Sequence, residues 1–234
     1  MNNPNTPEME LKPPSPLVCL RYNPKSTDTL VGGCYNGLVT FFDTRKPGGI
    51  TGIYTPESTS IIEKSHHDPV YDVFWVSSKT GNQCVSVSTD GQMHWWDARH
   101  LDAGPTDTLK LSTGSDKPIV LGGSCMEYNT EAGPTKYLVG SEQGTVLSIN
   151  LRNRKQNNGI VVYDTGPGKH HGPINSIQRN PTNSKFFMTI GDWTARIWGE
   201  DLKTPIMSTK YHNAYLNIET DKNEHKFNKY FYCK

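Results

Sequence analysis

No run of apolar residues in this chain approaches the ~20 that a membrane-spanning helix needs. The amino-terminal stretch has no apolar segment of the kind that marks a secretory signal. No membrane is expected as a partner. Charge of one sign is also missing: Lys and Arg total 24 against 23 acidic residues, for a net charge of +1. That balance offers no basic stripe for a nucleic acid. The densest basic run, Arg152-Asn153-Arg154-Lys155, reads as a solvated loop, with a phosphate or microtubule contact as the sharper alternative. Cysteines number only five, an odd count, and no pair has Cys-x-x-Cys spacing. A disulfide framework and a structural zinc site are therefore both disfavoured, and a reducing setting is expected. Cys19, Cys34, Cys84 and Cys125 lie in or beside strand-like runs and read as small core residues. Neither a Gly-x-x-x-x-Gly-Lys-Ser/Thr loop nor a His-Glu-x-x-His helix is found. No cofactor and no enzyme chemistry are expected.

Hydrophobic residues are few as well, at 34%, and the mean hydropathy is −0.63. That suits many short, half-buried strands joined by polar turns better than helices packed on a sheet. The 21 glycines and 16 prolines supply the turns.

A repeat organises the chain. Asp192-Trp193-Thr194-Ala195-Arg196-Ile197-Trp198 places an acidic turn residue six positions before a Trp that closes an alternating strand. Asp90 to Trp96 repeats the frame, and Asn36 to Phe42 and Gln143 to Ile149 repeat it in weaker form. The four turn residues are spaced by 54, 53 and 49 positions. Four strands with their turns need about 40–45 residues, so each period is one antiparallel sheet plus an insertion. One small sheet cannot bury both faces alone, and radial stacking of such sheets does so. The expected fold is all-β: a partial β-propeller of about four blades.

The expected boundaries are a Pro-rich lead-in over 1–16 and a partial propeller over 17–216. Its units fall at about 17–60, 67–112, 117–165 and 171–211. Outer strands are expected around Leu109 to Leu111, Ile160 to Tyr163 and Ile206 to Tyr211, and the loop over 46–66 is expected to hold one more apolar strand around Gly52 to Tyr54. His212 opens the pattern of a fifth unit that does not follow, and 217–234 is an atypical tail without the turn, the Trp or the alternation.

Within a unit, a His before the first strand, a hydroxyl on the second, the turn Asp and the closing Trp can form one hydrogen-bonded set, because a buried indole N–H and a buried imidazole both need partners. The second unit supplies His67, Ser86 (or Ser88 on the same face), Asp90 and Trp96. The fourth supplies His171, Asp192 and Trp198, with Thr189 one position out of register. The set resembles a Ser-His-Asp catalytic group, but it recurs, and a nucleophile would normally occur once. The reading is therefore structural: loss of Asp90 or Asp192 is expected to destabilise by roughly 1–3 kcal/mol. His66-His67 and His170-His171 do not read as zinc ligands, since adjacent residues of an extended chain point to opposite faces. Trp75 and Trp95 read as core. Trp193 stands where the other three units carry Gly after the turn, and is the candidate partner contact.

The Trp-Asp endings, turn Asp and His-x-Pro openings resemble WD40 repeats. The runs from Pro13 to Leu20, Gly32 to Gly37, Ser88 to Gln92, Gly172 to Ile174 and above all Gly191-Asp192-Trp193-Thr194-Ala195-Arg196-Ile197-Trp198 are similar to dynein intermediate chains, specifically those of the axonemal outer arm. The resemblance covers roughly residues 4–216. It implies a non-catalytic structural subunit of a ciliary or flagellar motor that binds dynein heavy chains and a second intermediate chain. It also implies microtubule association through the complex, and residence in the cytoplasm, on the cytoskeleton and in the ciliary axoneme. Family propellers continue to about seven blades, and their N-terminal extension carries light-chain sites. Against that pattern the chain reads as truncated, without light-chain sites, and as aggregation-prone through uncovered blade faces. One alternative is a substrate-recruiting adaptor of a cullin-type ubiquitin ligase, whose Trp-Asp-x-Arg ending Trp96-Asp97-Ala98-Arg99 matches.

Overall fold

Short alternating runs broken by Gly, Asn and Asp favour antiparallel hairpins over helices. The computed structural model describes residues 9–46, 53–113, 118–132, 135–153, 159–163 and 168–210. The atypical tail, the start of the fifth repeat, and Arg154 and Lys155 of the basic run lie outside the described residues. The molecule is all-β, with four four-stranded antiparallel sheets and a small two-stranded one, as expected of a partial WD40 propeller. Among the described residues no helix is long and apolar enough to cross a membrane. The chain forms two compact units: 1–88 with 93–109, and 110–234 with the turn 89–92.

The first unit holds two blades. β1 (Glu10–Leu11) lies outside them; the first blade is β2 (Leu17–Tyr22), β3 (Thr29–Cys34), β4 (Val39–Asp43) and β6 (Ser58–Thr59), with β5 (Ile53–Tyr54) between the last two in sequence. The second blade is β7 (Val70–Trp75), β8 (Gln83–Ser88), β9 (Gln92–Asp97) and β10 (Asp107–Lys110). The inner faces meet in one core. Val31, Val39 and Phe41 come from the first blade, and Val70, Val73, Trp75, Cys84 and Trp96 from the second.

The second unit repeats the arrangement. Its blades are β11 (Gly123–Tyr128), β12 (Lys136–Ser141), β13 (Val146–Asn150) and β14 (Ile160–Tyr163), then β15 (Ile174–Arg179), β16 (Phe186–Gly191), β17 (Thr194–Gly199) and β18 (Met207–Ser208). Cys125, Leu138, Val146 and Tyr163 pack on Ile174, Ile177, Phe187 and Trp198. Phe187 and Trp198 stack with ring centroids 6.1 Å apart, and Tyr163 meets both edge-on.

The blades repeat in detail as well as in outline. Each first strand carries a register shift near its start, at Leu17/Cys19, Val70/Asp72, Gly123/Cys125 and Ile174/Ser176. In each unit a buried or half-buried thiol faces the next blade: Cys19 donates to the Val70 carbonyl and Cys125 to the Ile174 carbonyl, both at 3.4 Å. Burial pushes the Cys19 thiol up to about 12, so it stays protonated. The end of the second blade's first strand reaches back in both units. Trp75 Nε1 donates to the Arg21 carbonyl at 3.1 Å, and Arg179 Nε to the Glu127 carboxylate at 3.0 Å.

The apolar strand expected in the 46–66 loop is present as Ile53–Tyr54, and two features were not foreseen. The outer strand of the first blade is the polar pair Ser58–Thr59, which bonds to β4 through Thr40 and Phe41. Ile53–Tyr54 instead pairs in parallel with Glu10–Leu11, so part of the expected lead-in is a strand. An edge strand is held by backbone bonds on one side only, so a polar sequence serves and carries no hydropathy signal.

Candidate functional site

The hydroxyl–imidazole clusters sit where the second strand of a blade, its closing Trp and the preceding loop converge. In the second blade Ser86 is fully buried. It accepts the Trp96 indole N–H at 2.8 Å and lies 2.8 Å from Nε2 of His66. The ring in the cluster is therefore His66, and its neighbour His67 is exposed. Ser88 bonds away from the cluster, to the Asp68 carbonyl at 3.1 Å. Asp90 accepts the Gln92 N–H at 2.9 Å and so shapes its own turn. A second imidazole, His94, lies against His66 with ring centroids 4.2 Å apart and planes tilted by 43°, and it is 3.0 Å from the Thr108 hydroxyl.

In the fourth blade all four groups join in one hydrogen-bonded chain. Trp198 donates its N–H to Thr189 Oγ1 at 2.8 Å, and Thr189 lies 2.8 Å from Nε2 of His170. Nδ1 of His170 lies 2.6 Å from Asp192 Oδ1. The proton order follows from donor counting. Trp198 can only donate, so the Thr189 proton points at Nε2, and the imidazole proton sits on Nδ1 facing the carboxylate. His171, the residue expected in this place, contributes only its backbone N–H, at 2.9 Å from Asp192 Oδ2. Its side chain faces solvent.

The backbone explains why the first His of each pair turns inward. Gly144 in the turn of the third blade has φ +79°, and a Cβ there would stand 2.1 Å from the His170 carbonyl oxygen. The same turn accepts the His170 N–H at 3.2 Å. A Cβ on Gly37 in the first blade would likewise stand 2.0 Å from the His66 carbonyl oxygen. Both carbonyls thus pack closely on a turn glycine of the preceding blade, and in each pair the first His is buried and the second exposed.

Asp192 accepts hydrogen bonds from four residues. Besides His170 and the His171 N–H it accepts from Thr194 Oγ1 at 2.6 Å and from Arg196 Nη2 at 2.9 Å. Arg196 also donates to the Gly168 carbonyl at 2.6 Å. Burial pushes the Asp192 carboxyl up, but the hydrogen bonds from Thr194, His170 and the His171 backbone outweigh it and hold the pKa below the usual value. Burial pushes the His170 imidazole down by more than Asp192 raises it, so the ring is kept neutral.

This arrangement cannot act as a nucleophilic centre as it stands. Ser86 and Thr189 are both fully buried, and each hydroxyl is occupied by an indole N–H and an imidazole. What the cluster does is satisfy buried polar groups, each of which would cost about 1–3 kcal/mol if stranded.

The turn beside it differs from its three counterparts. Gly191 pairs with Thr194, so only Asp192 and Trp193 form the loop. In the first blade Cys34 bonds Leu38 across the three residues Tyr35, Asn36 and Gly37. Three-residue loops place a Gly at positive φ, while a two-residue loop of this kind needs positive φ at both positions. Asp192 has φ 43° and Trp193 φ 64°. Trp193 is 44% exposed.

Among curated proteins, the flagellar outer-arm 70 kDa dynein intermediate chain of Chlamydomonas reinhardtii is 45% identical over 218 residues, which is 92% of this chain. The ciliary dynein intermediate chain 3 of Heliocidaris crassispina is 49% identical over 92% of the chain, and the human dynein axonemal intermediate chain 2 is 48% identical over 92%. The chain is a relative of the axonemal dynein intermediate chains. It spans about a third of their length, 36%, 35% and 34% of these three. No family model matches the chain.

In this dynein intermediate chain relative the Asp-x-Arg endings have a local role. Asp97 Oδ1 accepts the Arg99 N–H at 3.1 Å, Asp43 does the same for Arg45 at 3.0 Å, and Asn150 for Arg152 at 3.1 Å. Each is a side-chain turn that stops the strand, and the exposed Arg45 and Arg99 side chains fold back on their own Asp. Nothing in this geometry, and none of the relatives named above, favours a ligase adaptor.

Trp75 and Trp95 are buried at 6% and 8% exposure. Residue-type matching missed Arg196, which pairs with Thr189 across the hairpin just as His94 pairs with Ser86. The shared register position was the available signal.

Proposed function

We propose that this chain forms part of a non-catalytic scaffold subunit of outer-arm dynein, that it works in the axoneme of a cilium or flagellum, and that it binds a dynein heavy chain and a second intermediate chain. The observation that carries the reading is the 45–49% identity over nine-tenths of the chain to intermediate chains from an alga, a sea urchin and a human. The geometry supports it: the hydroxyl–imidazole–carboxylate set of the fourth blade is consumed in holding that blade together. A propeller of this kind acts by presenting its rims and turns to other proteins.

The test is biochemical. The endogenous chain is tagged, axonemes are isolated, and their salt extract is sedimented. The tagged chain should travel with the outer-arm heavy chains at a fixed ratio. Sedimentation apart from every dynein heavy chain would refute the reading.

A further inference from the structure

We propose that Asn36, in the β3–β4 turn, is a site of spontaneous chemical modification. The chain cyclises there to a succinimide with loss of ammonia, and hydrolysis opens the ring to an aspartyl or an isoaspartyl residue. The isoaspartyl product strains the junction between the first two blades. The proposal is independent of the scaffold reading, because it concerns the chemistry of the turn itself.

The reaction needs an electrophile, a nucleophile and room for both. The Asn36 carboxamide is the electrophile, and the backbone nitrogen of the next residue is the nucleophile. The sequence has two Asn-Gly pairs, 36–37 and 158–159, and Asn158 lies outside the described residues. Gly37 brings no side chain against the attacking nitrogen. Asn36 is exposed, so water and base reach it.

The turn holds these groups together. The Leu38 N–H donates to Asn36 Oδ1 at 3.4 Å, which folds the carboxamide back over its own turn. The donor sits on the oxygen where negative charge develops as nitrogen adds to Cγ. The hairpin itself is closed by other bonds. The Cys34 N–H donates to the Leu38 carbonyl at 2.8 Å, and the Tyr35 N–H to the Pro16 carbonyl at 2.9 Å. The Gly37 N–H reaches the Cys34 carbonyl at 3.2 Å, the longest of these three bonds, so the nucleophile gives up little by leaving it.

The steps balance. The Gly37 nitrogen loses its proton and bonds to Asn36 Cγ. The Cγ–Nδ2 bond breaks, and the amide nitrogen takes up the proton and leaves as ammonia. Water then opens the imide. Attack at Cγ leaves an aspartyl at position 36. Attack at the main-chain carbonyl of that residue leaves an isoaspartyl, with Cβ and Cγ now part of the main chain.

The two products differ in consequence. The second and fourth blades carry Asp90 and Asp192 at this turn. Asp90 Oδ1 accepts the N–H two residues on at 2.9 Å, as Asn36 does from Leu38. An aspartyl therefore suits the frame. The isoaspartyl lengthens the main chain just before Gly37, where a Cβ would already stand 2.0 Å from the His66 carbonyl oxygen and 3.1 Å from that of Asp68. The displaced turn pushes on the His66 backbone, whose ring lies 2.8 Å from the buried Ser86 hydroxyl.

For the test, the full chain is incubated at mildly alkaline pH, folded and in urea, and digested with trypsin. The Ser26–Arg45 peptide contains Asn36 as its one amide side chain. In the folded chain its acidic form should accumulate about tenfold or more faster than those of the peptides bearing Asn129 and Asn183. An isoaspartyl methyltransferase with a labelled methyl donor should label that peptide, and Asn36→Ser should abolish the label. The isoaspartyl chain should melt several degrees below untreated protein, while Asn36→Asp melts with it. Conversion confined to the urea-unfolded chain overturns the proposal, as does conversion in the folded chain no faster than at Asn129 and Asn183. An isoaspartyl form that melts with untreated protein overturns the strain at the blade junction.

Discussion

The Trp198 indole N–H meets the Thr189 hydroxyl at 2.8 Å across nine residues of chain. Trp96 meets Ser86 at the same 2.8 Å across ten. The missing residue is in the turn: Asp192-Trp193 closes the fourth-blade hairpin with two residues where the first-blade hairpin uses three. The shorter loop shifts the register by one and brings Thr189 under the indole. Thr189→Val should therefore strand both the Trp198 N–H and the His170 ring, and lower stability by roughly 2–4 kcal/mol. Thr189→Ser keeps the hydroxyl and should lose much less. Chemical denaturation of the three proteins measures the difference.

Acid should loosen the fourth blade in two steps. The His170 pKa is depressed in the fold from an ordinary value of 6.5. Its contribution is thus fully present above 6.5 and is lost as the pH falls from there toward the folded pKa. Asp192 is likewise depressed from 3.8, so its contribution is present above 3.8 and lost as the pH falls through the folded value. Melting midpoints should decline below about pH 6.5. His170→Gln should flatten the decline between pH 7 and 5 while lowering the midpoint throughout. An unchanged slope in that variant would show that another group is responsible.

Gly144 lies in the third-blade turn at φ +79°, with the His170 carbonyl oxygen 2.1 Å from where a Cβ would stand. Gly144→Ala should cost roughly 2–5 kcal/mol, from backbone strain and from the displaced carbonyl together. The displaced residue carries the cluster, so near-ultraviolet circular dichroism of the buried Trp198 should change along with the melting midpoint. Gly172→Ala, whose added Cβ would find only Asp192 Cβ at 3.9 Å, is the mild control.

Arg179 is buried between two acids, bonded to Glu127 at 3.0 Å and 3.8 Å from Glu200. Its Nη2 has no hydrogen-bond partner among the described residues. The corresponding position in the first unit is Trp75, which is apolar and also reaches the preceding blade. Arg179→Met alone should cost about 3–5 kcal/mol, because Glu127 loses its cation. Arg179→Met with Glu127→Leu should recover most of that. A double variant no better than the single one would mean the pair is not the source of the penalty.

Much of the fold was legible because turn and strand signals are local. Asn36-Gly37 and Asp90-Gly91 between alternating runs mark hairpins, and the strand Ile160–Tyr163 falls where its hydropathy placed it. The outer strand Ser58–Thr59 was hidden because it is polar and needs only backbone bonds. The cluster was legible as a composition but not as a geometry. The recurrence of His, hydroxyl, Asp and Trp pointed to architecture. The choice of His66 and His170 over His67 and His171 depends on backbone contacts with Gly37 and Gly144 more than 25 residues away in sequence. Thr189 looked displaced because residue counting alone does not reveal that one turn is shorter than the rest.

The scaffold role is tested most directly by removing this chain from a ciliated cell and counting outer arms on the doublet microtubules by electron tomography. The account predicts doublets that lose their outer arms while other axonemal structures remain, with arms restored by the wild-type chain. Outer arms present at normal density in cells lacking the chain would contradict it.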